Sequence, residues 1–464
     1  MTALWTHKTA QAATGGQAVG EWEVSGLSID TRTLEPGQLF VPLKDIRDGH
    51  GFIPAAYAKG AGAVISEHPI TDNPALIVPD NLQALEDLAI AARQRSNAVR
   101  IAVTGSVGKT SVKELISVIC QTSDPTHASI KSYNNHWGVP LTLASMPENT
   151  KYGIFEMGMN HAGELQALTK IVRPNIAVIT KIAAAHLAHF KSVKAIAFAK
   201  AEILSGLTKD GIAILPRDSE YYELLAGQAN RVLSFGWHEK ANARIVETTL
   251  SPTGSRSVIC IAGRNIEVEL PLPGRHWVEN TACALLVAYS AGIELNGVIK
   301  ALKIIDKLPG RGEVFTLRFD NKTVTLIDES YNANPQSMNA AIATLGLNEG
   351  RKIAVLGDML ELGPAEAQLH ADLLEPLQDA KIDLVMTCGE RMKNLESVLP
   401  GPMNGGWYTD DISCFDGLKA LLKHGDILMV KGSNASGMGK LVAALKQQTH
   451  ADNNNNKKDN AHVL

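Results

Sequence analysis

The chain has 464 residues, of which 45% are apolar and 20% are charged, and its formal net charge is −4. This length accommodates about three domains, the composition is typical of a soluble globular protein, and the net charge argues against nucleic-acid binding through a large basic surface. No apolar run approaches the roughly 18 residues that a membrane-spanning helix requires, and the start lacks a signal-peptide pattern. The five cysteines are scattered without a CxxC pair, so a reducing, cytoplasmic compartment is expected.

The predicted elements divide the first two thirds of the chain into two parts. Residues 1–98 contain short, irregular apolar runs, which predict a small mixed α/β domain. Residues 99–308 alternate buried strands with amphipathic helices, which predicts a central domain with a mainly parallel sheet. Its strands are “RIAVTGS”, “YGIFEMGM”, “NIAVITKI” and “GIAILPRD”. The stretch “RSVICIAGRNIEVEL” predicts an antiparallel hairpin with its turn at Gly263, Arg264 and Asn265.

A second alternating block follows a glycine-rich linker around Pro309. Its strands “TVTLIDES”, “KIAVLGDM”, “IDLVMTCG” and “DILMVKGS” predict a C-terminal, Rossmann-like domain over residues 309–450. The asparagine-rich residues 451–464 predict a disordered tail.

The stretch “AVTGSVGKTS” predicts a nucleotide-binding loop, because a strand leads into it and a helix follows. The general motif expects a glycine where Val103 stands. Lys109 would face the β- and γ-phosphates, and the Thr110 hydroxyl would reach a Mg²⁺ ion. The alternative is an ordinary glycine-rich turn. The residues predicted to bind ATP here are Thr104, Gly105, Ser106, Val107, Gly108, Lys109, Thr110 and Ser111.

Glu156 ends the apolar strand “YGIFE” and is the candidate acidic partner of the metal. A carboxylate inside such a strand is costly to bury unless it is paired or binds a cation. The alternative is a salt-bridged glutamate at the end of a strand.

Several motifs, in the same order along the chain, resemble those of the Mur ligase superfamily. “TGSVGKTS” resembles the T-G-[TS]-x-G-K-[TS]-[TS] loop of that superfamily, in which the first glycine of the general motif is routinely absent. “YNNHWGVPLTL”, “LPGRHWVENTACA” and “GRGE” resemble three further segments. “DESYNANPQSM”, “GDMLELG” and “VKGS” are similar to the members that add D-alanyl-D-alanine to UDP-N-acetylmuramoyl-tripeptide, and “SIDTRTLEPGQLFVPL” and “DGHGFI” resemble their UDP-binding region. The resemblance implies a three-domain α/β fold.

The resemblance implies that ATP lies between the central and C-terminal domains. Asn280 matches the asparagine that contacts adenine, whereas Trp277 replaces an asparagine of the pattern. Arg311 is expected to approach the phosphates or the ribose, and Asp328 the ribose. From the residues alone, an arginine in a glycine-rich linker can equally be a solvated charge.

The resemblance also implies two Mg²⁺ ions. Thr110 and Glu156 would hold the first ion. Lys200 in “AFAKAEILSGL” matches a lysine whose carbamylated amine binds the second ion, and His186 matches a histidine that faces it. From the sequence alone, Lys200 is a helix lysine on a solvated face. Lys181 replaces a common asparagine nearby.

The segments similar to substrate-binding segments of the superfamily supply a further set of residues. The pair Asp30 and Arg32 can equally be a structural ion pair, and “DESYNANP” can equally be a capped turn before a helix. Asn434 and Gly439 stand where related enzymes commonly have arginine and glutamate. The residues implied in substrate binding are Asp30, Thr31, Arg32, Asn134, Asn135, Tyr331, Asn332, Asn334, Lys431 and Ser433.

The expected activity is that of a monomeric, ATP-dependent, ADP-forming ligase that uses Mg²⁺ and forms an acyl phosphate. Its substrates would be UDP-N-acetylmuramoyl-tripeptide and D-alanyl-D-alanine, in the cytoplasmic synthesis of peptidoglycan precursors for the cell wall. The residues expected to take part in catalysis are Lys109, carbamylated Lys200 and His186. The alternatives are a ligase of the superfamily with another amino-acid substrate, a non-catalytic pseudo-ligase that binds nucleotide, and a simple phosphotransferase.

Overall fold

The structure is a computed structural model that describes residues 3–130, 132–184, 187–305, 307–319 and 322–459, with side chains through residue 448. Its strands form separate sheets in three successive parts of the chain, which confirms the predicted three-part α/β architecture. In the described part of the chain, no helix combines the length and the apolar character needed to cross a membrane.

The first part carries a five-stranded sheet in the order β2-β7-β6-β5-β4, and a separate antiparallel pair of β1 and β3. Its longest helix, α3, begins after Asp80, whose side chain accepts a hydrogen bond from Gln83 N. The indole Nε1 of Trp5 donates to Ala144 O at 2.9 Å, which ties this part to the central one. The elements are β1 (Trp5–Thr6), α1 (His7–Thr14), β2 (Gln17–Val19), β3 (Glu23–Val24), β4 (Leu27–Ser28), β5 (Leu39–Phe40), α2 (Ile53–Ala58), β6 (Ala63–Ser66), β7 (Ala75–Ile77) and α3 (Asn81–Arg95).

The central part carries a nine-stranded sheet in the order β16-β15-β14-β13-β12-β11-β8-β10-β9. Strands from β8 to β14 pair in parallel, and β14, β15 and β16 are antiparallel. Helices α4 and α9 cover one face, and α5, α6 and α7 cover the other together with α3. The elements are β8 (Val99–Thr104), α4 (Lys109–Gln121), β9 (Thr126–Ala128), α5 (Gly138–Ala144), β10 (Tyr152–Glu156), α6 (Glu164–Val172), β11 (Ile176–Ile179), α7 (Val193–Ala201), β12 (Ile212–Pro216), α8 (Tyr222–Ala226), β13 (Val232–Gly236), β14 (Ala243–Ser251), β15 (Gly254–Ile261), β16 (Arg264–Leu270), α9 (Arg275–Ser290) and α10 (Leu295–Leu302).

The predicted hairpin between β15 and β16 is present, but its turn is one residue earlier than predicted. Ile261 pairs with Arg264, so Ala262 and Gly263 form the turn and Asn265 lies in the strand. Both turn residues have positive φ, +50° and +77°. Two such residues match the twist of the flanking strands, which explains why the turn forms there although alanine is uncommon at positive φ.

The third part carries a six-stranded sheet in the order β17-β18-β22-β19-β20-β21, parallel except for the antiparallel β17. The structure continues α16 through Asp459, whereas the sequence predicted disorder from residue 451. Extending an existing helix needs no new nucleation. The elements are β17 (Glu313–Phe319), β18 (Lys322–Glu329), α11 (Pro335–Gly346), β19 (Lys352–Gly357), α12 (Glu366–Ala371), α13 (Leu374–Asp379), β20 (Leu384–Cys388), α14 (Lys393–Glu396), β21 (Asn404–Tyr408), α15 (Asp411–Leu421), β22 (Ile427–Lys431) and α16 (Met438–Asp459).

Candidate active site

A cavity of about 420 Å³ lies between the central and third parts. It is lined at the carboxyl ends of β8, β10, β11, β18 and β22, the edge at which parallel sheets bind ligands. The central part contributes residues 106–111, Ser132, Asn134, Glu156, Thr180, Lys181, Phe235, His276, Trp277, Glu279 and Asn280, among others. The third part contributes Arg311, Glu329, Tyr331, Asn332, Asn334, Gln336, Ala340, Ala341 and Lys431, among others.

Two glycines shape the loop between β8 and α4. A Cβ atom on Gly105 would lie 1.9 Å from Thr180 Oγ1, so no side chain fits there. Gly108 has a φ of +86° and immediately precedes α4, a conformation that favours glycine. The amide groups of the first helical turn lack intrahelical acceptors, so the loop can bind an anion. Thr104 is not part of this surface, because its Oγ1 donates to Met157 O at 2.8 Å between the strands.

Lys109 and Glu156 both line the cavity, and they are close enough to interact electrostatically. Lys109 Nζ donates to Gly105 O at 2.7 Å. Burial lowers the pKa of Lys109, and the nearby Glu156 partly opposes that shift. Glu156 Oε1 accepts from Asn134 Nδ2 at 2.8 Å, whereas its buried Oε2 has no hydrogen-bond partner among the described residues. An unpaired buried carboxylate oxygen costs at least about 1–3 kcal/mol, so Oε2 suits a cation.

Lys200 is buried near the end of α7, with only 1% of its surface exposed. The solvated position that the sequence alone indicated for Lys200 is therefore wrong, because four other residues of α7 around it belong to the hydrophobic core. Burial lowers the pKa of Lys200 well below its usual value, and repulsion from Lys109 adds to the shift. Lys200 Nζ forms no hydrogen bond or ion pair with a described residue. A lowered pKa favours the neutral amine, which is the nucleophilic form.

Arg311 links the third part to the loop. Its Nη2 donates to Thr110 Oγ1 at 3.1 Å. The guanidinium lies over the ring of Tyr331, 4.2 Å from the ring centroid, and Tyr331 OH donates to Ser132 Oγ at 2.7 Å. Arg311 is thus engaged at the cavity wall and is not an isolated solvated charge.

The structure corrects the expected position of Asp328. Its Oδ1 accepts from Ser330 Oγ at 2.6 Å and its Oδ2 accepts from Lys446 Nζ at 3.3 Å, away from the cavity. The adjacent Glu329 lines the cavity instead, because successive side chains of a strand point to opposite faces.

Glu329 forms a buried ion pair with Lys431, with Oε2 and Nζ 3.6 Å apart. Burial raises the pKa of Glu329 and lowers the pKa of Lys431, while their mutual attraction opposes both shifts. Lys431 Nζ also donates to Asn332 O at 2.9 Å. Glu329 is absent from the site residues predicted from the sequence, although its place at the end of an apolar strand resembles that of Glu156.

The N-terminal turn of α9 forms the end of the cavity beyond the loop. Asn280 lies against Gly108, where an added Cβ would be 3.0 Å from Asn280 Oδ1. Trp277 is buried and packs in the core, and burial lowers the pKa of the neighbouring His276 to about 4. Lys181 lies 3.3 Å from Glu279 in an ion pair at the same end.

Three expected substrate residues serve the fold in this structure. Asn135 Oδ1 accepts from Gly138 N at 2.9 Å at the start of α5, and Ser433 Oγ accepts from Leu360 N at 3.0 Å. Neither residue lies in the cavity wall. Asn334 does, but its side chain accepts from Ser337 N at 2.9 Å and caps α11, as the alternative of a capped turn predicts.

The N-terminal residues Asp30, Thr31 and Arg32 lie outside the cavity wall. Arg32 Nη2 is 2.7 Å from Asp30 Oδ2, and this pairing lowers the pKa of Asp30. The Arg32 side chain is 87% exposed, so the pair is a surface one. Lys59 Nζ donates to Thr31 O at 2.7 Å.

Of the two residues expected at the second metal site, the structure describes Lys200. His186 lies outside the described residues. Within the described ranges, no cluster of three or more His, Cys, Asp or Glu side chains could hold a metal ion. An unmodified Lys200 supplies no anionic ligand, so a cation there requires a modified lysine or other ligands.

Comparisons with known proteins agree with this geometry. The family profile described as the Mur ligase middle domain matches residues 103–288, and the one described as the Mur ligase, glutamate ligase domain matches residues 310–434. The UDP-N-acetylmuramoyl-tripeptide–D-alanyl-D-alanine ligase of Rickettsia prowazekii is 32% identical, over 95% of this chain and 99% of that protein. The ligase of the same name from Escherichia coli is 35% identical, over 91% of this chain and 94% of that protein.

A solved structure extends the likeness to three dimensions. The crystal structure of MurF from Acinetobacter baumannii superposes with a TM-score of 0.85 at 30% identity, covering 96% of this chain and 99% of that one. The matched profiles, the near full-length relatives and the nucleotide-type loop facing a third α/β part lead to one conclusion. The chain belongs to the Mur ligase family, whose members are ATP-dependent, ADP-forming ligases.

Proposed function

We propose that the chain joins D-alanyl-D-alanine to UDP-N-acetylmuramoyl-tripeptide and converts ATP to ADP and phosphate. The observation that carries this proposal is the near full-length likeness to ligases of that name, together with a cavity shared by the loop and the third part. No observation favours a non-catalytic protein, because Lys109, Thr110, Glu156 and Lys200 are all present.

The first step is phosphoryl transfer, which depends on positioning and electrostatics. A carboxylate oxygen at the tripeptide terminus attacks the γ-phosphorus of ATP, the bond to the β–γ bridging oxygen breaks, and an acyl phosphate and ADP result. The amides of residues 106–111 and the positive end of α4 hold the phosphates. Lys109 adds a positive charge, which the neighbouring phosphates would favour.

The loop residues also fit a Mg²⁺ ion. The Thr110 hydroxyl and the unpaired Glu156 Oε2 are hard oxygen ligands in the same cavity, and Asn134 orients the glutamate through Oε1. When bound, the ion would offset phosphate charge. Arg311, which donates to Thr110 Oγ1, must share or release that oxygen.

Lys200 is proposed to bear a carbamate that completes a second cation site, with His186 as the expected neighbour. Burial favours the neutral form of the Lys200 amine, and a neutral amine adds to CO₂ with loss of a proton. The product is an anion where the unmodified chain has only an amine.

The second step is attack by the dipeptide amine on the acyl carbon, with loss of phosphate and one proton. Lys431, Asn332 and Tyr331 lie at the third part's side of the cavity, and Lys431 is the cation suited to a dipeptide carboxylate. Glu329, which takes the place expected of Asp328, is the acidic group proposed for the ribose. Closure of the third part would exclude water from the acyl phosphate.

The UDP-sugar is assigned to the first part, near Asp30, Thr31 and Arg32. The Arg32 guanidinium is exposed and paired with Asp30, so a diphosphate can contact it without any core side chain having to move. The reaction is placed in the cytoplasm, where ATP is available, as a step in peptidoglycan precursor synthesis. A monomer is proposed, since both parts of the cavity come from one chain.

The test is phosphate release from ATP, Mg²⁺ and UDP-N-acetylmuramoyl-tripeptide, with and without D-alanyl-D-alanine. The ligase predicts dipeptide-dependent release and a pentapeptide product detectable by mass. Release that ignores the dipeptide would identify a phosphotransferase or ATPase, and another accepted amino acid would identify a different ligase. Nucleotide binding without release would identify a pseudo-ligase.

A further inference from the structure

Gln336 lies in the cavity wall on the first turn of α11. Its Oε1 atom is buried, and no described residue donates a hydrogen bond to it. Buried acceptors almost always have a hydrogen-bond donor. Because Gln336 Oε1 lies at a ligand cavity and has no such partner in the described protein, we expect the ligand to supply the donor. The proposed ligase reaction does not by itself use this side chain.

We propose that the Gln336 carboxamide forms hydrogen bonds with the purine base of the nucleotide and thereby makes the site selective for adenine over guanine. The inference rests on the proposed function, since it presumes that a nucleoside triphosphate occupies the cavity.

Gln336 lies on the face of α11 that is next to α9. Gln336, Ala340 and Thr344 recur every four residues, so they share one face of α11. A Cβ atom on Gly274, the residue just before α9, would lie 2.6 Å from Thr344 Oγ1. This face of α11 therefore runs beside the start of α9, where Trp277 and Asn280 line the cavity.

Different sides of the cavity wall suit the phosphates and the base of a nucleotide. On the loop side, Lys109 and Arg311 suit phosphates and Glu156 suits a cation, whereas the other charged side chains of the wall form the ion pairs Lys181–Glu279 and Glu329–Lys431. Beside the Lys181–Glu279 pair, the side formed by α9, α11 and the end of β13 carries two aromatic rings and two small residues, which suit a flat apolar base. These four residues are Phe235, Trp277, Ala340 and Ala341.

The carboxamide of glutamine is complementary to one edge of adenine. It offers one acceptor and one donor side by side, and its terminal torsion is soft, so it can turn toward a ligand. Adenine presents the N6 amino donor beside the N7 acceptor, and glutamine pairs with both. Guanine presents O6 and N7, which are both acceptors, so one of them always meets Oε1.

The test is calorimetric binding of three probes, each with Mg²⁺: ATP, GTP and inorganic tripolyphosphate. The proteins are the wild type, Gln336→Ala, the near-isosteric Gln336→Met, and the control Gln378→Ala, an exposed glutamine of α13. We expect both Gln336 variants to bind ATP about tenfold more weakly, with GTP and tripolyphosphate unchanged, so that the ATP preference falls by the same factor. The control should match the wild type.

Two other outcomes have distinct meanings. An unchanged ratio of ATP to GTP affinity, or an equal loss for all three probes, would overturn the role of Gln336 while leaving the ligase intact. Failure of the wild type to bind ATP would overturn the proposed function and this inference with it.

Discussion

Arg311 Nη2 donates a hydrogen bond to Thr110 Oγ1 across 3.1 Å, and this contact joins the linker before β17 to the first turn of α4. The two residues are 201 positions apart in sequence. Thr110 is also the hydroxyl expected to bind a cation. The linker to the third part and the expected cation site therefore share one oxygen atom.

Replacing Arg311 by alanine removes this hydrogen bond and the stacking on Tyr331. We expect phosphate release in the complete ligase assay to fall about tenfold or more, because a charge-assisted contact at the phosphates is lost. Arg311→Lys should recover only part of the activity, since an ammonium cannot reproduce the planar fork. The control is Arg244→Ala, an exposed arginine of β14. Full activity of Arg311→Ala would contradict the assignment.

Glu156→Gln tests the first cation site. The amide keeps an oxygen for Asn134 but removes the anionic charge that Oε2 presents. We expect Mg²⁺ to raise ATP affinity in the wild type and to lose most of that effect in the variant, measured by calorimetry with and without the ion. Glu349→Gln, an exposed position, is the control. An undiminished effect of Mg²⁺ in Glu156→Gln would place the ion elsewhere.

Alanine substitutions of the neighbouring residues Asn134 and Asn135 should have different effects on ligand binding and stability. Asn134→Ala frees Glu156 Oε1 and should weaken Mg·ATP binding. Asn135→Ala removes the acceptor for Gly138 N and should lower the free energy of unfolding by about 1 kcal/mol with ATP affinity unchanged. Chemical denaturation and calorimetry on both variants measure the two effects. The reverse pattern would restore Asn135 as a ligand-binding residue.

Lys200→Ala should abolish ligase turnover, because the proposed carbamate would be lost. Short carboxylic acids added to the assay should restore part of the activity by supplying the missing anion. The measurement is the rate of phosphate release at increasing acetate or formate concentration. Wild-type activity in the variant would rule out the carbamate.

Lys200 also predicts a pH dependence of stability in buffer free of CO₂. Because burial lowers its folded-state pKa, the unfolded chain binds more protons between that pKa and the unfolded value of about 10.4. This group therefore makes stability rise with pH across that window. Lys200→Met should raise the melting temperature more at pH 6 than at pH 9. An equal change at both pH values would mean that Lys200 is charged in the folded protein.

The strand and helix pattern was predictable because buried parallel strands carry continuous apolar runs. The strands ending at Thr104, Glu156 and Lys431 are where the sequence placed them. The edge strand Glu313–Phe319 escaped prediction, because five of its seven residues are at least partly exposed and it is paired through a hairpin rather than buried on both faces.

By itself, the sequence determined the nucleotide loop, the three-part order and the candidacy of Glu156, since each depends on residues close together in the chain. The tertiary structure decided which neighbour faces the cavity: Glu329 rather than Asp328, and Asn134 rather than Asn135. It also decided that Lys200 is buried and that Arg311 reaches Thr110. These outcomes depend on strand register and on packing between distant segments, and local residue patterns do not encode the side of a strand that a ligand will meet.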